Sequence, residues 1–556
     1  MTLPAPAAPR FALVYHPDGY ATKGVEPLGR RVAGEEFFLA LVCEGGLAEI
    51  IGLVGGRANG EAFIRHAAAL NPALPARAVT AADPAPLDEA GTLFIPGPGL
   101  ADKAWLRRRR RQDGHSLLGI THTTATTRVM NALADNLTAP VQPWDAIICT
   151  SRAVRAMVAR VMEEQSAYLR ERFGAARVEW PQLPVLPLGV ETEGFAALPV
   201  ARAAWRAELG IGEGDVAVLC VARFSHETKF NPLPLFIALR EAQVQAPAQR
   251  FHLLLAGWYE NDVQSALFAD GAAALCPGIT IHRLDGREPR VRREIWSAAD
   301  IFTLPVDNVQ ETFGIAPVEA MAAGLPVVTG DWDGFRDTVV HGETGFAVAT
   351  CMAGPLDMLG YRHEAAVDGY GRYCSAVAQS TALDVAALAQ SFATLARDPA
   401  LRRRMGEAGQ RRARALFDWR VIVPQYLALA AELAAMRARG GARVPVAPGR
   451  PANPAAQDPF ALFAEYPTAR LASGDRFALL PGTTIATIEA IVALRSAVAF
   501  GRMLPGRGGL ACIIAALEEA PQDGAALARR CPNLEPAEVM RGLGWMMKFG
   551  LLTRAT

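Results

Sequence analysis

Along the first 150 residues, short apolar runs alternate with stretches in which apolar residues return every three to four positions. Phe11–His16 (FALVYH), Glu49–Val54, Thr92–Pro96, Leu117–Thr121 and Ala146–Thr150 predict strands, with Glu35–Cys43 as part of a helix. Strands that are apolar throughout and separated by helices belong to parallel sheets covered on both faces. The pattern breaks at Pro184–Phe195 (PVLPLGVETEGF), where prolines and a glycine suit a hinge. It then restarts: Val216–Arg223 (VAVLCVAR), Phe251–Gly257 (FHLLLAG), Ile279–Leu284, Ile301–Val306 (IFTLPV) and Pro326–Gly330 (PVVTG) predict strands, with helices over Pro232–Ala242 and Pro289–Ala298. Two doubly wound α/β domains are expected, with ligands outside the carboxyl ends of the strands.

Beyond them Leu383–Arg439 reads as helical, and Gly440–Pro459 is a Pro/Ala/Gly linker. The last hundred residues read as a small, mostly helical, winged-helix-like module ending in a short helix Gly524–Arg530, a longer one from Pro536, and LLTR. The expected domains are therefore 1–195, 196–440, a linker 441–459 and an accessory module 460–556. Arg541 and Lys548 are the only cations between Pro536 and Phe549, too few for a helix that reads DNA. The module is assigned packing or oligomerisation instead.

Composition narrows the class. Of 556 residues 51% are apolar and 20% charged, with 56 basic and 56 acidic side chains. No net field draws the chain to nucleic acid or to a membrane. No uninterrupted apolar run is long enough to span a bilayer. The eight cysteines include no Cys-x-x-Cys pair, which reads as buried thiols in a reducing compartment, not disulfides or a zinc site. A cytoplasmic protein is expected.

The most informative string is Glu311–Gly330, ETFGIAPVEAMAAGLPVVTG. A helix beginning near Ile315 directs unpaired N–H groups and partial positive charge outward, which places Phe313, Gly314 and Ile315 to hold phosphate oxygens. Glu311 and Glu319 bracket that turn, and carboxylates beside a diphosphate are best used on sugar hydroxyls. An amphipathic helix with two solvated glutamates is the plainer reading of either residue alone. The second constellation is Arg223, closing a strand, and Lys229 in the loop after it, in a chain that otherwise has only Lys23, Lys103 and Lys548. A compact ammonium there suits phosphate; a surface ion pair with Glu227 is the alternative. His122, in THT at a first-domain strand end, points to the cleft or serves structurally. Gly34, just before Glu35–Cys43, offers an anion-tolerant turn. The Asp331–Trp332–Asp333 string matches an Asp-x-Asp metal pattern but follows a strand of the second domain, so no metal is assigned. Arg107–Arg111 reads as a solvated patch, with peripheral lipid contact as the alternative.

With these pieces the second domain resembles that of the family 4 retaining glycosyltransferases, which have the GT-B fold of two facing Rossmann-like domains. The resemblance rests on VARFSHETK, LLLAG, SAADIFTLPV, ETFGIAPVEAMAAGLPVV and HGETGF, with WDAIICTSRAV, LPLGVETEGF and DPALRRRMGEAGQRRARALFDW in support. It implies that Arg223 and Lys229 bind the diphosphate, Glu311 the donor sugar near the Phe313–Ile315 backbone, and Glu319 the ribose, while His122 meets the transferred sugar. It further implies a hexosyltransferase that retains configuration, needs no cofactor or metal, takes a nucleotide-diphosphate sugar as donor, and lets the leaving phosphate receive the acceptor's proton. The family's paired glycine is here the single Gly34, after a longer loop Gly19–Ala33, and Cys351–Asp384 is a long connection. The acceptor stays open. So do two other readings, a catalytically silent sugar-nucleotide scaffold and a nucleotide-sugar epimerase.

Overall fold

The computed structural model describes residues 8–20, 29–354, 357–497 and 504–555. Of the expected Gly19–Ala33 loop, residues 21–28 lie outside the described residues. The chain divides into two compact units, Met1–Asn453 and Pro454–Thr556, a boundary that falls inside the Pro/Ala/Gly stretch.

The first unit holds two six-stranded sheets. In chain order the first contains β1 (Arg10–Val14), β2 (Glu49–Leu53), β3 (Ala76–Val79), β4 (Thr92–Ile95), β5 (Ser116–Ile120) and β6 (Ala146–Ile148), arranged β3-β2-β1-β4-β5-β6. The second contains β7 (Val216–Phe224), β8 (Phe251–Tyr259), β9 (Thr280–Asp285), β10 (Ile301–Leu304), β11 (Val327–Gly330) and β12 (Gly345–Val348), arranged β12-β11-β10-β7-β8-β9. Every pairing in both is parallel. The expected α/β class with two doubly wound domains is therefore the observed one. Strand order reverses between β1 and β4 in one lobe and between β7 and β10 in the other, which opens a crevice at each carboxyl edge.

The Trp419–Arg439 helix returns from the second lobe to the first. Trp419, Ile422, Val423, Tyr426, Leu429 and Leu433 form its buried face, the spacing of a helix with one apolar stripe. Phe37 of the Gly29–Glu44 helix meets Trp419 and Tyr426 at ring-centroid distances of 5.8 and 5.2 Å. Arg437 donates to the Gly91 carbonyl at 2.8 Å and to Ser116 Oγ at 2.6 Å, beside the β4–β5 edge. By length and composition this helix could cross a bilayer, although no such run was expected; here its stripe is spent on the first lobe.

The lobes also meet at the start of the Arg152–Phe173 helix. Ser151 Oγ lies 3.1 Å from Asp333 Oδ1, and the Arg152 N–H donates to Asp337 Oδ2 at 2.7 Å. Carboxylates at a helix N-terminus are stabilised by its exposed N–H groups and dipole.

The arginine run corrects the expectation of a solvated patch. Arg107 is 2% exposed and grips Asp145 through two bonds of 2.6 and 2.7 Å. Arg108 donates to the Ala452 carbonyl at 2.6 Å. Arg110 and Arg111 make exposed pairs, with Asp88 and Asp113. The long connection after β12 forms a hairpin of β13 (Thr350–Met352) and β14 (Thr381–Leu383) enclosing the Asp357–Glu364 and Tyr370–Gln379 helices.

The second unit packs the helices Ile485–Val492, Arg507–Glu519, Gly524–Arg530 and Pro536–Lys548 on a three-stranded antiparallel sheet of β15 (Arg476–Leu479), β16 (Gln522–Asp523) and β17 (Leu552–Ala555). Phe477, Ile513, Leu527, Val539, Leu543 and Met546 are its buried centre. Cys512 and Cys531 are joined by a disulfide across 19 positions, against the expectation of free thiols throughout. Nothing in their spacing announces the pairing; two packed helices bring the sulfurs together.

Candidate functional site

The loops that leave β7 and β10 flank the switch point of the second sheet, and each is tied down before it reaches the cleft. In the first, Ser225 Oγ accepts from the Thr228 N–H at 3.3 Å, and Lys229 N–H donates to the Ser225 carbonyl at 2.9 Å. In the second, Asn308 donates to the Glu227 carbonyl at 2.8 Å, and Asp307 Oδ1 accepts from the Asn231 N–H at 3.3 Å. The loops are thus laced to each other. The result is a contact of 2.6 Å between Lys229 Nζ and Glu311 Oε2, with the side chains 26% and 11% exposed.

Burial opposes ionisation of Glu311. The Lys229 ammonium and the N–H groups of Thr312, at 3.2 Å, and Phe313 outweigh it and hold the carboxyl below its usual range. Lys229 therefore pairs with Glu311 and not with Glu227, which lies against Gly371. Arg223, at the end of β7, pairs with Glu260 at 3.1 Å, and its charge reaches the Tyr370 phenol on the connecting hairpin.

The Ile315–Ala322 helix begins directly after Glu311–Gly314, with Gly314 as N-cap and no side-chain cap. Gly314 has φ 88°, and a Cβ there would run into the Phe335 ring, so glycine is required by both backbone and space. Gly334 likewise admits the Phe313 backbone, while the Phe313 ring is buried against Phe417 with centroids 6.0 Å apart. The N–H groups of Ile315 and Ala316 open this helix, Pro317 after them carrying none, and they are hydrogen-bond donors of the kind that bind phosphate.

Glu319 lies elsewhere. Burial and the charge of Glu36, from the first lobe, push its carboxyl up to about 8 against the opposing Arg292. Glu36 is itself pushed up to about 7 by burial, eased by a 3.2 Å bond from Trp419 Nε1. The structure thus joins Glu311 to Lys229 directly, and places Glu319 at the seam between the lobes beside Glu36. Asp333 is also raised, to about 8, by burial and the nearby Glu311, with the Ser151 bond opposing. Asp331, the other acid of its string, pairs with Arg336 at 3.6 Å. Among the described residues no three His, Cys, Asp or Glu side chains form a set that could hold a metal.

In the first lobe a cavity of about 230 Å³ opens at the carboxyl ends of β1, β4 and β5, with His16, Pro96 and His122 at those strand ends. His122 lines it. So does Gly34, but not as a turn before a helix: the helix starts at Gly29, and Gly34 sits within it. A Cβ there would strike the Gly19 carbonyl, so its absence lets the Pro17–Tyr20 turn seat on the helix. Sequence patterning did not single out Glu36, Trp419 or Tyr426, and it read Asp333 only as half of an Asp-x-Asp metal string. Each acts across a lobe boundary, which local periodicity does not report.

Residues 215–354 match the family model of glycosyl transferases group 1. The matched segment carries Arg223, Lys229, Glu311 and the Gly314 turn. The chain is 31% identical over 191 residues to a GDP-mannose-dependent alpha-(1-6)-phosphatidylinositol monomannoside mannosyltransferase of Mycolicibacterium smegmatis, covering 33% of this chain and 47% of that protein. It is 30% identical over 194 residues to a D-inositol 3-phosphate glycosyltransferase of Nocardia farcinica, covering 34% and 41%. The chain thus spans about half the length of the curated relatives it matches. A solved structure of Anabaena Alr3699/HepE in complex with UDP overlays with TM-score 0.48 at 14% identity, over 76% of this chain and 100% of that one.

Proposed function

We propose that this protein is a retaining, metal-independent glycosyltransferase that moves a sugar from a nucleotide-diphosphate donor to an acceptor held by the first lobe. The observation that carries the reading is the Lys229–Glu311 pair on the two loops flanking the β7/β10 switch point, next to the uncapped helix at Gly314. A cation, the two N–H groups of Ile315 and Ala316 at a helix start and a carboxylate at one sheet edge suit a diphosphate joined to a hydroxyl-bearing ring. Likeness of the same segment to glycosyl transferases group 1 supports it.

In this reading the nucleoside diphosphate lies along the carboxyl edge of β7 and β10. Lys229 and Arg223 face the β-phosphate, and the N–H groups of the Ile315–Ala322 helix meet its oxygens. As the bond from the anomeric carbon to the phosphate oxygen breaks, negative charge grows on that oxygen. Each preorganised cation lowers the barrier by about 2–4 kcal/mol. Glu311, kept ionised by Lys229, accepts hydrogen bonds from the donor sugar, and Glu319 takes the ribose hydroxyls when the seam opens. The acceptor oxygen bonds to the anomeric carbon on the face the phosphate leaves, and its proton passes to the departing phosphate. Lys229→Ala and Glu319→Ala should each abolish transfer while circular dichroism and thermal unfolding show a folded chain. Near-normal turnover in both ends the reading.

A further inference from the structure

Three consecutive residues of the first lobe, just after β6, reach the second lobe. Thr150 Oγ1 donates to the Thr312 carbonyl at 3.4 Å, Ser151 Oγ lies 3.1 Å from Asp333 Oδ1, and Arg152 pairs with Asp337. The middle contact falls on strained backbone. Asp333 has φ 41°, in the left-handed region that suits glycine. Bonds on both sides hold it there. Trp332 Nε1 donates to the Asn308 carbonyl at 3.1 Å, the Arg336 N–H donates to the Asp333 carbonyl at 3.3 Å, and Gly334 admits the Phe313 backbone. The turn 331–334 is thereby fastened to the loop that carries Glu311 and Gly314. Backbone strain persists where the surroundings demand one side-chain position. A glycine would satisfy this turn better, yet the residue present carries a carboxyl to the first lobe.

Its electrical surroundings favour the neutral acid. Burial, then the charge of Glu311, push the half-buried carboxyl up to about 8; Asp337 adds to this, and the Ser151 bond and the Gly334 N–H oppose it. The cations of the adjoining elements are already paired: Lys229 with Glu311, Arg152 with Asp337, and Arg336 with Asp331. Near neutral pH the carboxyl therefore sits on Ser151 without placing another negative charge beside Glu311. Opening the seam returns it to water and toward its ordinary 3.8. The closed arrangement is thus favoured fully below pH 3.8, and that contribution is lost as pH rises through about 8.

We infer, resting on the transferase reading above, that Asp333 is a positioning residue: through Ser151 it latches the first lobe over the Glu311–Gly314 turn and so fixes where an acceptor meets the donor sugar. It acts through the hydroxyl of the other lobe and touches no reacting atom. Thr150–Thr312 and Arg152–Asp337 flank the latch, so its loss loosens the seam without abolishing it.

Two exposed free cysteines, Cys43 on the first lobe and Cys351 on the second, take spin labels in the full chain, and double electron–electron resonance between them reports the spacing of the lobes. Asp333→Gly removes the carboxyl and accepts φ 41° freely. It should shift the closed-to-open ratio about 3- to 10-fold toward open, the worth of one hydrogen bond. Ser151→Ala should do the same, and the double variant should be no more open than either single one. Asp333→Asn keeps an uncharged partner for Ser151 and should match the parent at pH 6. Between pH 6 and 9 the parent should open, and Asp333→Asn should open less, the remainder belonging to Glu36 and Glu319 at the same seam. By calorimetry, whichever of UDP, GDP and ADP binds the parent should bind Asp333→Gly within about twofold, because the phosphate donors are untouched. Asp333→Gly as closed as the parent, Asp333→Asn as open as Asp333→Gly, or nucleotide binding weakened tenfold in Asp333→Gly (the mark of a mere prop for the donor turn) overturns the inference. If nucleotide binds the parent and the lobe spacing is the same in every variant, this inference fails alone. If no nucleotide binds the parent, the transferase reading fails with it.

Discussion

Lys229→Met keeps the aliphatic stem of the lysine and deletes its charge, leaving Glu311 with backbone N–H groups alone. Two unit charges about 4 Å apart attract by about 4 kcal/mol at an effective dielectric of about 20. Stripping one partner from a fully buried pair costs about 3–5 kcal/mol. The residual exposure of both side chains, 26% and 11%, brings the expected loss to about 2–3 kcal/mol at pH 8. The sign with pH is distinctive. In the parent, Glu311 is held below its ordinary 4.5, so its contribution is complete above that value and fades only as pH falls through the native pKa. In Lys229→Met burial dominates, the native carboxyl rises above 4.5, and stability falls as pH climbs beyond it. The gap between the two proteins therefore widens with pH. Differential scanning fluorimetry should show a melting temperature lower by about 3–5 °C at pH 8 and by under about 1 °C at pH 5, scaled for a large unit. Adding Glu311→Gln should recover most of the loss at pH 8. A pH-independent loss, or a double variant as unstable as the sum of the singles, refutes the pairing argument.

Other outcomes follow from the same geometry. Gly314→Ala must adopt φ 88° and displace the Phe335 ring, a strain of about 2–4 kcal/mol; it should lower the melting temperature and weaken nucleotide binding together, as read by calorimetry. Glu319, pushed up to about 8, stabilises fully below its ordinary 4.5 and loses that contribution as pH rises through about 8. Glu319→Gln should therefore flatten the melting temperature against pH between 5 and 8, removing a slope of at most about 1.4 kcal/mol per unit. Non-reducing peptide mapping of the oxidised full chain should recover Cys512 linked to Cys531. Its reduction should destabilise the Pro454–Thr556 unit by about 2–4 kcal/mol.

Continuous apolar runs made the central strands legible, because a strand covered on both faces has no polar position to hide. The edge strands β3 and β12 were not. β3 (ARAV) has three half-buried positions, and β12 (GFAV) opens on a glycine, so neither repeats a period long enough to stand out. The Glu311–Gly314 turn was readable since its punctuation is local. That Glu311 meets Lys229, 82 positions away, is a consequence of strand order, and spacing does not encode it. Arg107 shows the same limit from the other side. Within five consecutive arginines nothing marks the one that is buried on Asp145. Trp419 and Tyr426 look like any stripe of a closing helix until the chain is seen to cross back and roof the first-lobe cavity.

On the transferase reading, a nucleoside diphosphate is gripped between the loops after β7 and β10. Titration calorimetry of UDP, GDP and ADP against the full chain, in parallel with Lys229→Ala, measures that grip directly. At least one nucleotide should bind the parent, and the same one should bind Lys229→Ala at least tenfold more weakly. Equal affinity for both proteins, or no heat from any of the three at millimolar concentration, would contradict it.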